Sequence, residues 1–131
     1  MSWSAKAALT GLGVALSEVS NSDADFLAAD HGTQWVTMNP GESAVVQLEV
    51  AFGSTGNDVQ YRVVGTLDDT AEAADNVAFR GGIIPFTASA TVRRSLVVSD
   101  LYKWRLEVRK GGTTAGSYTP VAYIRKDGIS I

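Results

Sequence analysis

The sequence predicts an all-β chain, an antiparallel β-sandwich of jelly-roll-like form with an extended N-terminal arm. Three observations lead there. Past residue 33, apolar residues recur with period two rather than 3.6. The runs are short and are broken by Gly, Pro, Asn and Asp at intervals of about ten residues, as in sandwiches and jelly rolls. No window carries the i, i+3, i+4 spacing of a useful amphipathic helix. At 131 residues, with 45% hydrophobic and 19% charged residues, the chain is long enough for one core in one domain.

Taken in order, residues 1–30 form an N-terminal arm, or a first strand plus an acidic loop, and residues 31–131 form the sandwich. The arm is Ala/Gly/Ser-rich and weakly periodic. Leu9 to Leu16 is expected to join a sheet while its flanks reach outward, which makes Trp3, Lys6, Leu9 and Leu12 candidate partner-binding residues. As an export signal this start is poor: one lysine, a short apolar run and then Glu18. No apolar run approaches the roughly 20 residues that span a bilayer. The expectation is a soluble, unprocessed chain without membrane contact.

Strands follow. "TQWVTM" (33–38) is a short one, and "NPGES" (39–43) after it has Pro-Gly turn chemistry. In "SAVVQLEVAF" (43–52), Val46, Leu48, Val50 and Phe52 face one way, Gln47 and Glu49 the other. "GSTGND" (53–58) reads as a hairpin loop into "VQYRVVGTL" (59–67). In "AFRGGIIPFT" (78–87), Gly81-Gly82 and Pro85 mark a bulge or an edge. "ATVRRSLVVS" (90–99) is rich in β-branched residues. "LYKWRLEVRK" (101–110) alternates most cleanly, with Tyr102, Trp104, Leu106 and Val108 inward. "KGGTTAGS" (110–117) reads as a second hairpin loop before "SYTPVAYIRKDG" (117–128).

Composition excludes several kinds of chemistry. Without cysteine there is neither a disulfide frame nor a thiolate metal site, and His31, the lone histidine, rules out His-pair sites. A net charge of −3 is small and of the wrong sign for binding driven by phosphate contacts. The charge is unevenly placed. Residues 1–78 hold eleven acids against two bases, a charge of −9; residues 79–131 hold nine bases against three acids, a charge of +6. If these halves do not neutralise each other within one subunit, they leave patches of opposite sign for a neighbour.

Candidate sites are few. Asp68, Asp69, Glu72 and Asp75 are weak metal-ligand candidates, since a cation such as calcium takes six to eight oxygens. Their spacing does not match an EF-hand loop, and a solvated connection is the preferred reading. Asp30-His31 invites a dyad, but no nucleophile turn accompanies it, so His31 is expected to be a surface histidine. Neither "GLG" (11–13) nor "GSTGND" is a phosphate cradle. Trp104 is in phase with the core; Trp35 is compatible with either face; Trp3 suits an aromatic anchor. Exposed aromatics on a sandwich also suit stacking on sugar rings, which makes a carbohydrate-binding module an alternative. The bases Arg93, Arg94, Arg109 and Lys110 are candidate partner contacts, set against a plain solvated sheet face. Nothing points to a cofactor or to catalysis.

Finally, "DHGTQWVTMNPGESAVVQLEVAFGSTGNDVQYRVVGTLDDTAEAADNVAF" (30–79), "VVSDLYKWRLEVRKGG" (97–112) and "YIRKDGISI" (123–131) resemble small virion proteins of tailed bacteriophages. The resemblance spans nearly the whole length, is one of overall pattern, and defines no site residue. It implies a capsid cement or decoration protein on the outside of the virion. Such a protein is made in the host cytoplasm and binds the major capsid protein and neighbouring copies of itself as a dimer or trimer. Its contacts are multivalent. A small tail or baseplate adaptor is the alternative within the same context.

Overall fold

The computed structural model describes residues 2–3, 6–66, 77–99 and 101–128. The strands are β1 (Ser2–Trp3), β2 (Ala7–Leu9), β3 (Val36–Thr37), β4 (Ser43–Phe52), β5 (Val59–Thr66), β6 (Val77–Ile84), β7 (Thr91–Ser99), β8 (Lys103–Lys110) and β9 (Tyr118–Gly128), with a one-turn helix α1 (Asp23–Phe26) between β2 and β3. One sheet runs β9-β4-β7, with β1 and β2 sharing the outer side of β9; the other runs β3-β8-β5-β6. Every pairing is antiparallel. The order β2-β9-β4-β7 against β3-β8-β5-β6 is that of a jelly roll, as the sequence predicted.

Alternation explains why these segments become strands. In β4 every second residue, Ala44, Val46, Leu48, Val50 and Phe52, is buried while its neighbours are partly exposed. Val59 and Val63 of β5 and Trp104, Leu106 and Val108 of β8 face them from the second sheet. Trp104 is fully buried, so the core assignment made from its phase holds. It fits there because residue 65, opposite it on β5, is glycine: a Cβ at Gly65 would come within 2.6 Å of the Lys103 carbonyl oxygen.

Two loops expected to close hairpins do something else. Segments 53–58 and 110–117 carry the chain from one sheet to the other, because β4 and β5, like β8 and β9, lie in different sheets. Gly-rich reversal chemistry serves both purposes, and only the pairing of distant strands decides between them. Among the described strands just β5 and β6 are adjacent both in sequence and in a sheet. β6 is an edge strand, one of the two readings of Gly81-Gly82 and Pro85, while the slip in their pairing falls between Val63 and Val64, opposite 78–80, and leaves Gly81 and Gly82 in register. The connection 67–76, with Asp68, Asp69, Glu72 and Asp75, lies outside the described residues.

The N-terminal segment is also corrected in part. β2 joins β9, and Leu16 makes an isolated bridge to Tyr118, as expected of a strand in this region. Beyond Leu16, however, the chain does not reach outward. It folds back over the second sheet, burying Phe26 and His31, and then runs along β8, with Gly32 bridging Glu107. Gly11 permits the switch: its φ is +112°, and a Cβ there would lie 2.7 Å from the Gly32 carbonyl oxygen. "TQWVTM" is a strand only over Val36–Thr37, because at Gln34 the backbone N–H donates to the Thr10 carbonyl instead of to β8.

Candidate functional site: the open face and edge of the first sheet

Register on the first sheet places distant outward-facing residues in rows. Gln47 of β4 is flanked by Tyr123 of β9 and Ser95 of β7; Val45 is flanked by Arg125 and Val97; Glu49 by Val121 and Arg93. All of these are odd-numbered positions on strands whose even-numbered residues, Arg94 and Lys126 apart, pack toward the other sheet, so the pleat turns them to one face. Val97 and Val121 remain 53% and 37% exposed.

Across the first two rows lies a groove of about 350 Å³, lined by Lys6, Val45, Gln47, Ser95, Tyr123 and Arg125 together with Ile124. The Lys6 ammonium sits 4.0 Å above the Tyr123 ring centroid and donates to Gln47 Oε1 at 3.4 Å. A cation held against a ring face by its quadrupole is positioned rather than free. None of the lining side chains is acidic. The nearest described carboxylate on β4, Glu49, is held by Arg93 at 2.8 Å.

The sheet edges differ sharply. β1, β2 and β3 have two, three and two residues, and β6 carries Gly81-Gly82 and pairs through a register slip. Those are the devices that blunt edges against pairing with another chain. β7 has nine residues, contains neither Gly nor Pro, and keeps unbroken register with β4 from Thr91 to Ser99. Among the described residues no strand lies on its far side.

The outer face of the second sheet is closed by contrast. Phe26 lies between the guanidinium groups of Arg62 and Arg109, at 4.2 and 4.4 Å. Glu107 is buried and receives Arg62 Nε at 2.7 Å and Arg105 Nε at 2.8 Å. Trp35 is half-buried beneath Lys103 and Arg105. Asp25 caps α1: its carboxylate accepts the Ser22 N–H at 2.8 Å, and that bond, with the Ser20 hydroxyl, holds its pKa below the ordinary value. His31 is buried, not on the surface as expected. Its Nδ1 donates to the Val108 carbonyl at 3.0 Å, and Nε2 faces Glu18, not Asp30, at 3.6 Å. Glu18 Oε1 also accepts the Tyr118 hydroxyl at 2.6 Å and the Lys110 N–H at 3.0 Å. Burial, and then that bond to Glu18, drive the Tyr118 hydroxyl's pKa far upward. These groups hold structure together.

The predicted partner-binding residues therefore separate. Leu9 is 4% exposed and belongs to the core, so it is not offered to a partner, whereas Leu12 is half-buried and packs against that core. The reason is that β2 is paired to β9 rather than projecting. Lys110 is buried, its ammonium donating to the Thr114 carbonyl at 2.9 Å, and Arg109 is occupied by Phe26, Gln60 and Asp23. Lys6, Arg93 and Arg94 are exposed on the open sheet and its edge. The Trp3 backbone pairs with Asp127. Tyr123, Ser95 and Arg125 were not singled out as site residues; the outward half of each alternation was the signal, but register was needed to assemble it. Among the described residues no three His, Asp or Glu gather where a metal could sit. No helix among them is long and apolar enough to cross a membrane.

Acids of the first half of the chain meet bases of the second inside one subunit at three ion pairs among the described residues. Asp23 pairs with Arg109, Glu49 with Arg93 and Glu42 with Lys126, each an acid of the first half with a base of the second.

No family model and no curated protein matches the chain. Among solved structures it is similar to one reported as "CBM4 structure and function", at 10% identity and TM-score 0.47, over 76% of this chain and 58% of that one. It is similar to "Family 16 Carbohydrate Binding Module-2" at 17% identity and TM-score 0.47, over 81% and 70%. A third, from "Bacillus endospore appendages form a novel family of disulfide-linked pili", shares 8% identity at TM-score 0.39, over 98% and 88%. This chain thus spans less than two thirds of the first of these. With every TM-score below 0.5, the functional reading rests on this chain's own residues.

Proposed function

We propose that this chain is a non-catalytic structural protein that works by assembly: a virion protein of the capsid cement or decoration type. It attaches to junctions between major capsid subunits and to neighbouring copies of itself. The observation that carries the assembly reading is the β7 edge, a long strand in unbroken register beside the exposed Val97. The virion context comes from the sequence resemblance. Strand addition along the Thr91–Leu96 stretch supplies main-chain hydrogen bonds, and repetition around a shell multiplies a modest interface. Imaging of particles that carry this chain tests the proposal. Density on the shell exterior, with occupancy lost in a Val97→Lys variant that still folds, is the expected result. Density confined to a tail ring, or full occupancy by the variant, overturns it.

A second reading, carbohydrate binding, is favoured by the groove beside Tyr123. Its volume is in the range of small-ligand sites, and it combines an apolar floor with converging hydrogen-bond donors.

A further inference from the structure

We infer that the groove on the first sheet takes an anionic saccharide, with a ring carboxylate between Lys6 and Arg125. The inference rests on the carbohydrate reading and adds the charge of the ligand. Lys6 offers three N–H donors and Arg125 five, and neither side chain can accept. Gln47 Oε1, an acceptor at the centre of the row, is already taken by Lys6. The carboxylate of Glu49, one row along, is held by Arg93. The groove therefore asks for a ligand rich in acceptors and bearing negative charge.

The shape argues for a sugar over an acidic peptide. The outer face of a paired sheet has no spare main-chain groups, because its N–H and C=O groups run within the ladder. An extended peptide laid across it would leave its own backbone unpartnered. A pyranose needs no such partners: its C–H face rests on Val45 and the Tyr123 edge, and its rim of hydroxyls meets Ser95 and the Gln47 amide. Placing Lys6 over the Tyr123 ring fixes the ammonium at the floor before any ligand arrives, which lowers the ordering cost of binding.

Titration calorimetry on the full chain, with an oligogalacturonate, an uncharged galacto-oligosaccharide and a glutamate-rich peptide as probes, tests this. The oligogalacturonate is expected to bind, more weakly as salt rises. The Lys6→Gln/Arg125→Gln double variant should lose about tenfold in affinity while melting like the parent. A Val121→Ser control on the same face should bind unchanged. Equal affinity for the uncharged oligosaccharide, or an unaffected double variant, overturns the anionic assignment and leaves carbohydrate binding standing. No binding of either oligosaccharide overturns both. Tighter binding of the peptide overturns the saccharide in favour of an acidic protein partner.

Discussion

The two outer faces of this sandwich begin from the same sequence pattern and end differently. On both, charged and polar residues alternate with core residues along each strand. Over the second sheet the chain lays its own residues 18–35, so Glu107 becomes buried, Phe26 is clasped between Arg62 and Arg109, and Trp35 lies under two cations. Over the first sheet nothing described is laid, and Val97, Val121 and Arg125 stay in contact with solvent. Similar charges thus hold the fold together on one face and remain available to other molecules on the other. A basic strand residue says little about function until its covering is known.

Three substitutions probe that contrast. The largest effect belongs to Glu107→Ala, which leaves Arg62 and Arg105 facing each other without their shared carboxylate. Urea unfolding should show a loss of about 3 kcal/mol, the low end for breaking a buried pair because both guanidinium groups still reach water. An unchanged midpoint would mean that the covered face is no more structural than the open one. Phe26→Ala comes next, at about 2 kcal/mol for the apolar area it returns to water. Faster hydrogen exchange along β8 should accompany it, since the cover protects that strand. Smallest is Val121→Ser on the open face, within about 0.5 kcal/mol of the parent by thermal melting. A larger loss there would show that this face is not solvent-facing in the isolated chain.

How much of this was legible beforehand depends on sequence distance. The alternation in 43–52 and 101–110 gave β4 and β8 nearly to the residue, since period two is a local property. The burial of Glu107, Lys110 and His31 was not legible, because it depends on residues 18–35 crossing a strand many tens of residues away. The hairpins read at 53–58 and 110–117 failed for a related reason: local turn chemistry does not record which sheet the next strand joins. The groove was legible only in halves. Gln47 stood out as an outward residue, but joining it to Tyr123, Arg125 and Ser95 required the registers of β9 and β7 on β4. Leu9 was misplaced because an Ala/Gly-rich segment has too weak a period to separate a docked strand from a projecting one.

The position of β9 has a consequence for biosynthesis. It is the last of the described strands, yet it lies between β4 and β2, so the two parts of the first sheet are not joined until translation has passed it. Until β9 is made, β2 has no sheet partner and β4 has β7 on one side only, and closing such remote pairs is slow. Nascent chains stalled before Tyr118 should accordingly be protease-sensitive and dependent on chaperones, and resistance should appear in one late step as β9 emerges.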